Sequence, residues 1–324
     1  MLNIMQIGLG YWGPNILRNL CMQDRVSVSA YDLDNKTIEK LQPQYPHVNF
    51  INKAPDDNDF QQADAVVVVT PPHTHFSLAK QALKNNCHVF VEKPMTTDVA
   101  EAEELVGLAE QINKVLMVGH TFLFVPEVRK IKELIDNKAI GQLLHIESNR
   151  KNLGKYQESG VVWDLAPHDI AMLYYWLDCV DSNLWQDGQL ISRGYDSKSD
   201  IASVHLRMGA NPFYYQLNLS WLHPVKTRTT YIVGDKGMII YDMMAQDKVK
   251  VVDRHVLAHK DGFHHIDGPT TTIPILDKEE PLFKEMKEFL AAIRGTTENI
   301  SDGKLGLNVV YTISKILDST ITRD

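Results

Sequence analysis

The sequence predicts an α/β protein: an N-terminal Rossmann domain with a doubly wound parallel sheet, then a C-terminal α+β domain with a large open, mainly antiparallel sheet. A glycine motif directly follows the first apolar segment. Up to residue 119, strand-like apolar segments then alternate with segments that have the periodicity of helices. Strand-like segments without helices between them occupy about residues 203–252. We place the domains at 1–122 and 123–324, with the last helix as a candidate to pack back on the first domain.

The composition excludes several classes of protein. A chain of 324 residues is long enough for two domains, and its formal charge of −8 argues against a nucleic-acid partner. Three widely spaced cysteines, Cys21, Cys87 and Cys179, suit a reducing compartment. The N-terminus lacks a basic n-region, and no apolar run approaches the ~20 residues that span a bilayer. We therefore expect a soluble cytoplasmic protein with no membrane partner.

The first strand leads directly into the motif G-x-G-x-x-G. Its glycines are Gly8, Gly10 and Gly13, and Tyr11 and Trp12 lie between them. Such glycines allow a tight turn and let the backbone approach a pyrophosphate, while the following helix presents free N–H groups to it. The motif therefore predicts a dinucleotide site, with an ordinary glycine turn as the alternative.

Asp32 ends the second predicted strand, Val26–Tyr31, 19 residues beyond Gly13. A carboxylate there accepts hydrogen bonds from the adenosine ribose and repels a 2′-phosphate, which favours NAD over NADP. Lys36 lies close enough in sequence to weaken that preference. A turn residue or helix cap is the alternative role for Asp32.

A rigid loop follows the apolar strand 65–69. Thr70 and Pro71 lie in this loop, where the cofactor is expected to pass. His75 is also assigned to the cofactor site and is expected to begin the next helix. His73 and His75 are one residue apart, but no third metal ligand is evident nearby.

Glu92 and Lys93 end another short apolar strand, Val89–Val91. A charged pair at the carboxyl end of a buried strand requires a partner or a function, and ligands bind at this end of open α/β sheets. We therefore assign both residues to the cofactor site and expect Lys93 to act on a substrate.

The second half contains a candidate catalytic pair. Asp164 and His168 precede and enter a segment, Leu165–Leu177, that is apolar on nearly every face. If both are helical, they share one face, and a neutral histidine there can accept a hydroxyl proton beside a stabilising carboxylate. Alternatively, Asp164 caps the helix and His168 is a buried structural histidine, since Pro167 suits a first turn.

Taken in order, these motifs resemble the Gfo/Idh/MocA family of sugar and polyol oxidoreductases. The motifs are the glycine run 8–13, Thr70-Pro71-Pro72, Glu92-Lys93-Pro94, Gly119-His120, and Gly160, Asp164 and His168 at four-residue steps. The resemblance implies that Lys93 lies beside the nicotinamide and the reacting sugar carbon. Further segments are similar to the nucleotide-sugar branch that includes UDP-N-acetylglucosaminuronate 3-dehydrogenases: 11–15, 280–282 and 302–307.

This resemblance implies an NAD-dependent dehydrogenase that oxidises a secondary hydroxyl of a sugar or nucleotide sugar. His168 would accept the proton, Asp164 would orient it, and Lys93 would hold the reacting oxygen. Family members bury the open sheet against another subunit, so a homodimer or homotetramer is expected. Four residues are expected near the substrate, although surface or packing roles fit them equally: Arg150, Asn152, Tyr156 and Trp163.

Two other functions stay open at this point. The same residues serve an NAD(P)H-dependent reductase of a ketosugar or polyol, including inositol-type substrates. A dinucleotide-sensing regulatory protein shares the scaffold but does not need Lys93 or the Asp–His pair. The histidine-rich segment 255–267 follows no known zinc spacing, so no metal is expected.

Overall fold

The computed structural model describes residues 1–153, 159–178, 185–194, 199–208 and 213–318. Two of the residues singled out above, Cys179 and Tyr156, lie outside these ranges. The chain divides into two units, Met1–Phe124 with Glu279–Val310, and Val125–Lys278 with Tyr311–Asp324.

The first unit begins with six strands that alternate with five helices. They are β1 (Leu2–Ile7), α1 (Gly13–Cys21), β2 (Val26–Tyr31), α2 (Asn35–Leu41), β3 (Asn49–Ile51), α3 (Asp57–Gln61), β4 (Ala65–Val68), α4 (His75–Lys84), β5 (His88–Glu92), α5 (Val99–Gln111) and β6 (Leu116–Gly119). The strands form one parallel sheet in the order β3-β2-β1-β4-β5-β6. The strand order reverses beside β1, and ligands of such sheets bind at that point, beyond the carboxyl ends of the strands.

The sheet of this unit is buried on both faces. All four residues of β4, Ala65–Val68, are buried, as are Val89–Val91 in β5. Continuous β-branched runs of this kind are typical of parallel strands covered by helices. The predicted Rossmann domain is therefore confirmed.

The described residues of the second unit form a mixed sheet, a long helix, a shorter helix, a small hairpin and the last part of the C-terminal helix. Its elements are α6 (Pro126–Asp136), β7 (Leu143–Leu153), α7 (Gly160–Leu177), β8 (Trp185–Gly194), β9 (Ser199–Met208), β10 (Phe213–Ser220), β11 (Leu222–Gly234), β12 (Gly237–Asp242), β13 (Val249–Val252), β14 (His255–His259), β15 (Gly262–Ile266) and β16 (Thr270–Thr272). Eight strands form an open sheet in the order β16-β13-β12-β11-β7-β10-β9-β8, while β14 and β15 form the hairpin.

All neighbours in the larger sheet are antiparallel except β7 and β10. Helix α7 packs against β9 and β10. Inward-facing residues of these strands, such as Val204 and Leu217, are buried, whereas their neighbours Ser203 and Asn218 are partly open. The predicted open, mainly antiparallel sheet is thus confirmed.

Two helices, α8 (Pro281–Ile293) and α9 (Gly303–Asp318), follow the sheet. Helix α8 belongs to the first unit and packs on α1, where Arg18 Nη1 donates to Glu280 Oε2 at 2.9 Å. Within the described residues, no helix has the length and apolarity needed to cross a membrane.

Candidate active site

The glycine loop between β1 and α1 depends on the absence of side chains. Gly8 has a φ of +99°, and a Cβ there would lie 2.5 Å from the Val69 carbonyl oxygen. A Cβ on Gly13 would lie 2.4 Å from the Gly8 carbonyl oxygen, whereas a Cβ on Gly10 would have no atom within 4 Å. The outer two glycines are therefore required by packing, and Gly10 leaves open space where the backbone can approach a dinucleotide.

Gln6, which lies outside the glycine motif and was not predicted, hydrogen-bonds this loop from the first strand. Its buried Nε2 donates to the Gly8 carbonyl at 3.0 Å and to the Gly13 carbonyl at 2.9 Å. The sequence contains one indication of this role, because Gln6 is an amide within a run of apolar strand residues. A buried amide in such a place needs hydrogen-bond partners.

Asp32 accepts one hydrogen bond from the same loop and one from the residues that follow β2. Its Oδ2 accepts from the Leu9 N–H at 2.6 Å, and its Oδ1 accepts from the Asp34 N–H at 2.8 Å. Asp34 itself caps α2 by accepting from the Lys36 N–H. A carboxylate oxygen has more than one lone pair, so Asp32 can still accept from ribose hydroxyls.

The two aromatic residues of the motif face outward. Tyr11 is 98% exposed and Trp12 is 39% exposed. The Tyr11 side chain is therefore available to a ligand at this loop, whereas the Trp12 side chain hydrogen-bonds the Glu92 carboxyl group.

His75 ties the loop after β4 to the segment after β5. Its ring nitrogens lie 2.7 Å from the Thr70 carbonyl oxygen and 2.8 Å from the Pro94 carbonyl oxygen. Burial lowers the pKa of His75, so the neutral ring donates to one of these carbonyls at a time. Thr70 also bonds Thr74, which in turn donates to the Pro71 carbonyl. His75 therefore positions the loop. It is also the first residue of α4, as predicted.

Glu92 and Lys93 lie at the carboxyl end of β5, as the sequence indicates. The Glu92 Oε2 accepts from the Lys93 backbone N–H at 3.2 Å. Burial raises the pKa of Glu92 to about 7, although the adjacent Lys93 charge opposes that shift. On the neighbouring strand end, burial and then the Lys93 charge lower the pKa of His120 to about 3, so this ring stays neutral.

The candidate catalytic pair lies in the second unit, on one face of α7. This helix begins at Gly160, which makes Asp164 an interior residue rather than its cap. Fourteen of its 18 residues are buried, whereas Asp164 and His168 are partly open. Residues four apart share a helix face, so the two polar side chains open on the same side.

Trp221 holds Asp164 and was not predicted from the sequence. The indole Nε1 donates to the Asp164 Oδ2 at 3.0 Å. Trp221 itself is buried at the junction of β10 and β11. The contact orients the carboxylate on this face of the helix.

The predicted substrate residues have different environments. Arg150 is buried and forms an ion pair with Asp169, and Trp163 is also buried. Asn152 is partly open and accepts from Arg228 through its Oδ1. Burial lowers the pKa of Arg228 to about 10, and the Arg150 charge acts in the same direction.

In the histidine-rich segment, three residues converge at the β14–β15 hairpin: His259, Asp261 and His264. They are exposed, and one Asp261 oxygen bonds both imidazoles. This shared hydrogen bonding accounts for their proximity without an ion. His265 projects from the opposite face of the hairpin, because its neighbour His264 faces the cluster.

Comparisons with known proteins agree with this arrangement of units. Residues 2–120 match the family described as GFO_IDH_MocA, an oxidoreductase family with an NAD-binding Rossmann fold, and residues 128–240 match the GFO/IDH/MocA C-terminal domain. The glycine loop, Asp32 and the open space at Gly10 suit the NAD that this fold binds.

Three relatives illustrate the range of similarity. An uncharacterized oxidoreductase, YdgJ of Escherichia coli, is 31% identical over 40% of this chain and 40% of its own length, so the match spans less than half of that relative. Myo-inositol 2-dehydrogenase of Thermotoga maritima is 24% identical over 96% of this chain and 95% of its own.

UDP-N-acetylglucosamine 3-dehydrogenase of Acidithiobacillus ferrooxidans is 32% identical over 34% of this chain and 35% of its own. Its solved structure superposes with a TM-score of 0.80 at 20% identity, covering 98% of this chain and 97% of that one. At that identity, the structural likeness is a likeness of fold.

Proposed function

Because the chain belongs to the Gfo/Idh/MocA family of oxidoreductases and binds NAD in its first unit, we propose that it is a dehydrogenase that oxidises a secondary hydroxyl of a sugar or nucleotide sugar. One observation carries this proposal. On a helix that is otherwise almost wholly buried, Asp164 and His168 open on one face. A buried helix does not need these polar groups for packing, so a chemical role accounts for them.

His168 is the proposed general base. A neutral imidazole has a basicity near physiological pH and can accept the hydroxyl proton as the carbon is oxidised. Asp164, held by Trp221 at 3.0 Å, then stabilises the imidazolium that forms. The bound NAD supplies the hydride acceptor.

Lys93 is proposed to hold the reacting oxygen. It follows Glu92 at the carboxyl end of β5, where ligands of such sheets bind. An ammonium group donates to a hydroxyl and stabilises alkoxide character as the proton departs. Lys93 is thus proposed as a hydrogen-bond donor and His168 as a proton acceptor in the same reaction.

Replacement of either group tests these roles. We expect His168→Ala and Lys93→Ala to reduce kcat about 10²–10⁴-fold, the usual contribution of a positioned acid or base. NAD binding, measured by titration of intrinsic fluorescence, should persist in both variants. His265→Ala, a change at an exposed histidine of the same unit, is the matched control and should keep normal turnover. Near-normal turnover in both test variants would contradict the assignment.

A polyol is the second candidate substrate, favoured by the similarity to myo-inositol 2-dehydrogenase along nearly the whole chain. The two candidate substrate classes can be distinguished by supplying UDP-sugars, free sugars and inositols separately with NAD. Formation of reduced nicotinamide, measured by its absorbance, identifies the substrate. The reverse reaction, with the corresponding ketones and NADH, reveals a reductase. Turnover of inositols alone would exclude the nucleotide-sugar substrate.

A further inference from the structure

Two carboxyl groups of the first unit are buried close to the same backbone segment. Glu285, on α8, is completely buried, and its Oε2 accepts from the Thr121 hydroxyl at 2.6 Å. Glu92 lies against Gly119, where a Cβ would come within 2.9 Å of its carboxyl carbon. Gly119 and Thr121 are two residues apart, so both carboxyl groups border one short stretch of chain.

One oxygen of each group lacks a partner. Among the residues that the structure describes, neither Glu92 Oε1 nor Glu285 Oε1 has a hydrogen bond, and both atoms are buried. A buried carboxylate oxygen without a donor is costly, and two such acceptors cannot satisfy each other. A proton on one of the two groups would convert its oxygen from an acceptor into a donor.

The charges around Glu92 and Glu285 also oppose the simultaneous ionisation of both carboxyl groups. From β5, Lys93 stabilises the Glu92 carboxylate, and Trp12 favours the same charged form. Around Glu285 the charged groups are acidic, Glu92 and, on its own helix, Glu288. Arg18 of α1 is engaged by Glu280, and His120 is neutral. Burial and then the Glu92 charge raise the pKa of Glu285 well above its usual range.

We propose that Glu285 is a neutral carboxylic acid that donates a hydrogen bond to Glu92 and so keeps the Glu92 carboxylate in place beside Lys93. Glu285 is thus a positioning residue. The expected effect of Glu285 on turnover rests on the proposed function of Lys93. The protonation of Glu285 is independent of that function.

Infrared spectroscopy tests the proton directly. At neutral pH, the difference between the wild-type protein and Glu285→Gln should contain the carbonyl stretch of a protonated carboxylic acid. Glu288→Gln, one turn further along α8, should leave that band unchanged. A difference spectrum with only carboxylate bands would overturn the proposal.

Thermal unfolding gives a second measure of the same proton. Glu285 has a raised pKa in the folded state, so its stabilising proton is lost as pH rises through that value. One extra proton in the folded state changes the unfolding constant about tenfold per pH unit. The melting temperature of the wild-type protein should therefore fall relative to Glu285→Gln between about pH 5 and pH 8. If the melting temperatures of the two proteins changed equally with pH, the inference would be contradicted.

Kinetics then test positioning. Glu285→Gln retains a neutral donor and should keep kcat within about twofold of wild type, whereas Glu285→Met removes the donor and should lower kcat and shift the pH profile of kcat/KM. Equal impairment of both variants, or normal kinetics in Glu285→Met, would overturn the positioning role. Full activity of Lys93→Ala would instead remove the proposed function and leave the infrared result standing.

Discussion

Asp32 has a predicted role at the cofactor and an observed role in holding the backbone. Its sequence position predicts contact with the adenosine ribose, and the structure adds two backbone contacts, from Leu9 and Asp34. Spacing within one βαβ unit is local, so the sequence indicates this residue well. The contact with Leu9 requires the loop to fold back over the strand end, which spacing alone does not describe.

Asp32→Asn should separate charge from loop geometry. The amide oxygen can still accept one backbone N–H, but the negative charge that repels a 2′-phosphate is lost. Hydrogen bonds to charged groups contribute about 1.5–3 kcal/mol, so we expect the preference for NAD over NADP to fall roughly 10- to 100-fold. The ratio of kcat/KM values for the two cofactors measures this effect. A wild-type protein that uses NADPH as readily as NADH would contradict the role of Asp32.

The glycine loop and α7 differ in how well the sequence predicts where each helix begins. The glycine pattern predicts the turn between β1 and α1, whereas the start of α7 was left open by the sequence. The helix begins at Gly160, four residues before Asp164, and this excludes a capping role for Asp164. Pro167 suggested a first turn but lies inside the helix. Burial of the surrounding helix faces outweighs the local preference of one proline.

Gly10→Ala should impair cofactor binding without disturbing the fold. A Cβ at Gly10 meets no protein atom within 4 Å, yet it would project where the dinucleotide approaches the loop. Gly107→Ala in α5 is a matched control, since its Cβ also meets nothing, and alanine there should stabilise the helix by up to ~1 kcal/mol. Isothermal titration with NAD and thermal melts measure the two effects. Normal NAD affinity in Gly10→Ala would refute this reading of the loop.

The whole molecule contains an open sheet face that carries polar side chains. Asn218 lies at its centre, where its Nδ2 donates to Asn149 Oδ1 at 3.2 Å and its Oδ1 accepts from Ser203 at 2.8 Å. Glu147 extends this ladder by accepting from Asn149. This side-chain network spans three strands, and we predict that the oligomer packs through the face that carries it.

Asn218→Arg should therefore weaken subunit association. A bulky cation replaces the central amide of the ladder, so an oligomer formed through this face should dissociate toward monomers. Light scattering across a concentration series measures the mass. Gln62→Arg, an exposed change in the first unit, is the control. A monomeric wild-type protein, or an unchanged mass in Asn218→Arg, would contradict assembly through this face.

The sequence by itself determined the parallel-sheet domain, the glycine loop, Asp32, the strand-end lysine and the antiparallel second sheet. These features follow from periodicity and spacing within a few tens of residues, which the chain encodes locally. Only the tertiary structure decided that Trp221 holds Asp164 and that Glu285 and Glu92 border the same segment, 119–121. Those partners are far apart in sequence, and the packing of separate elements brings them together. Spacing describes which residues share a face, but packing decides what that face contacts.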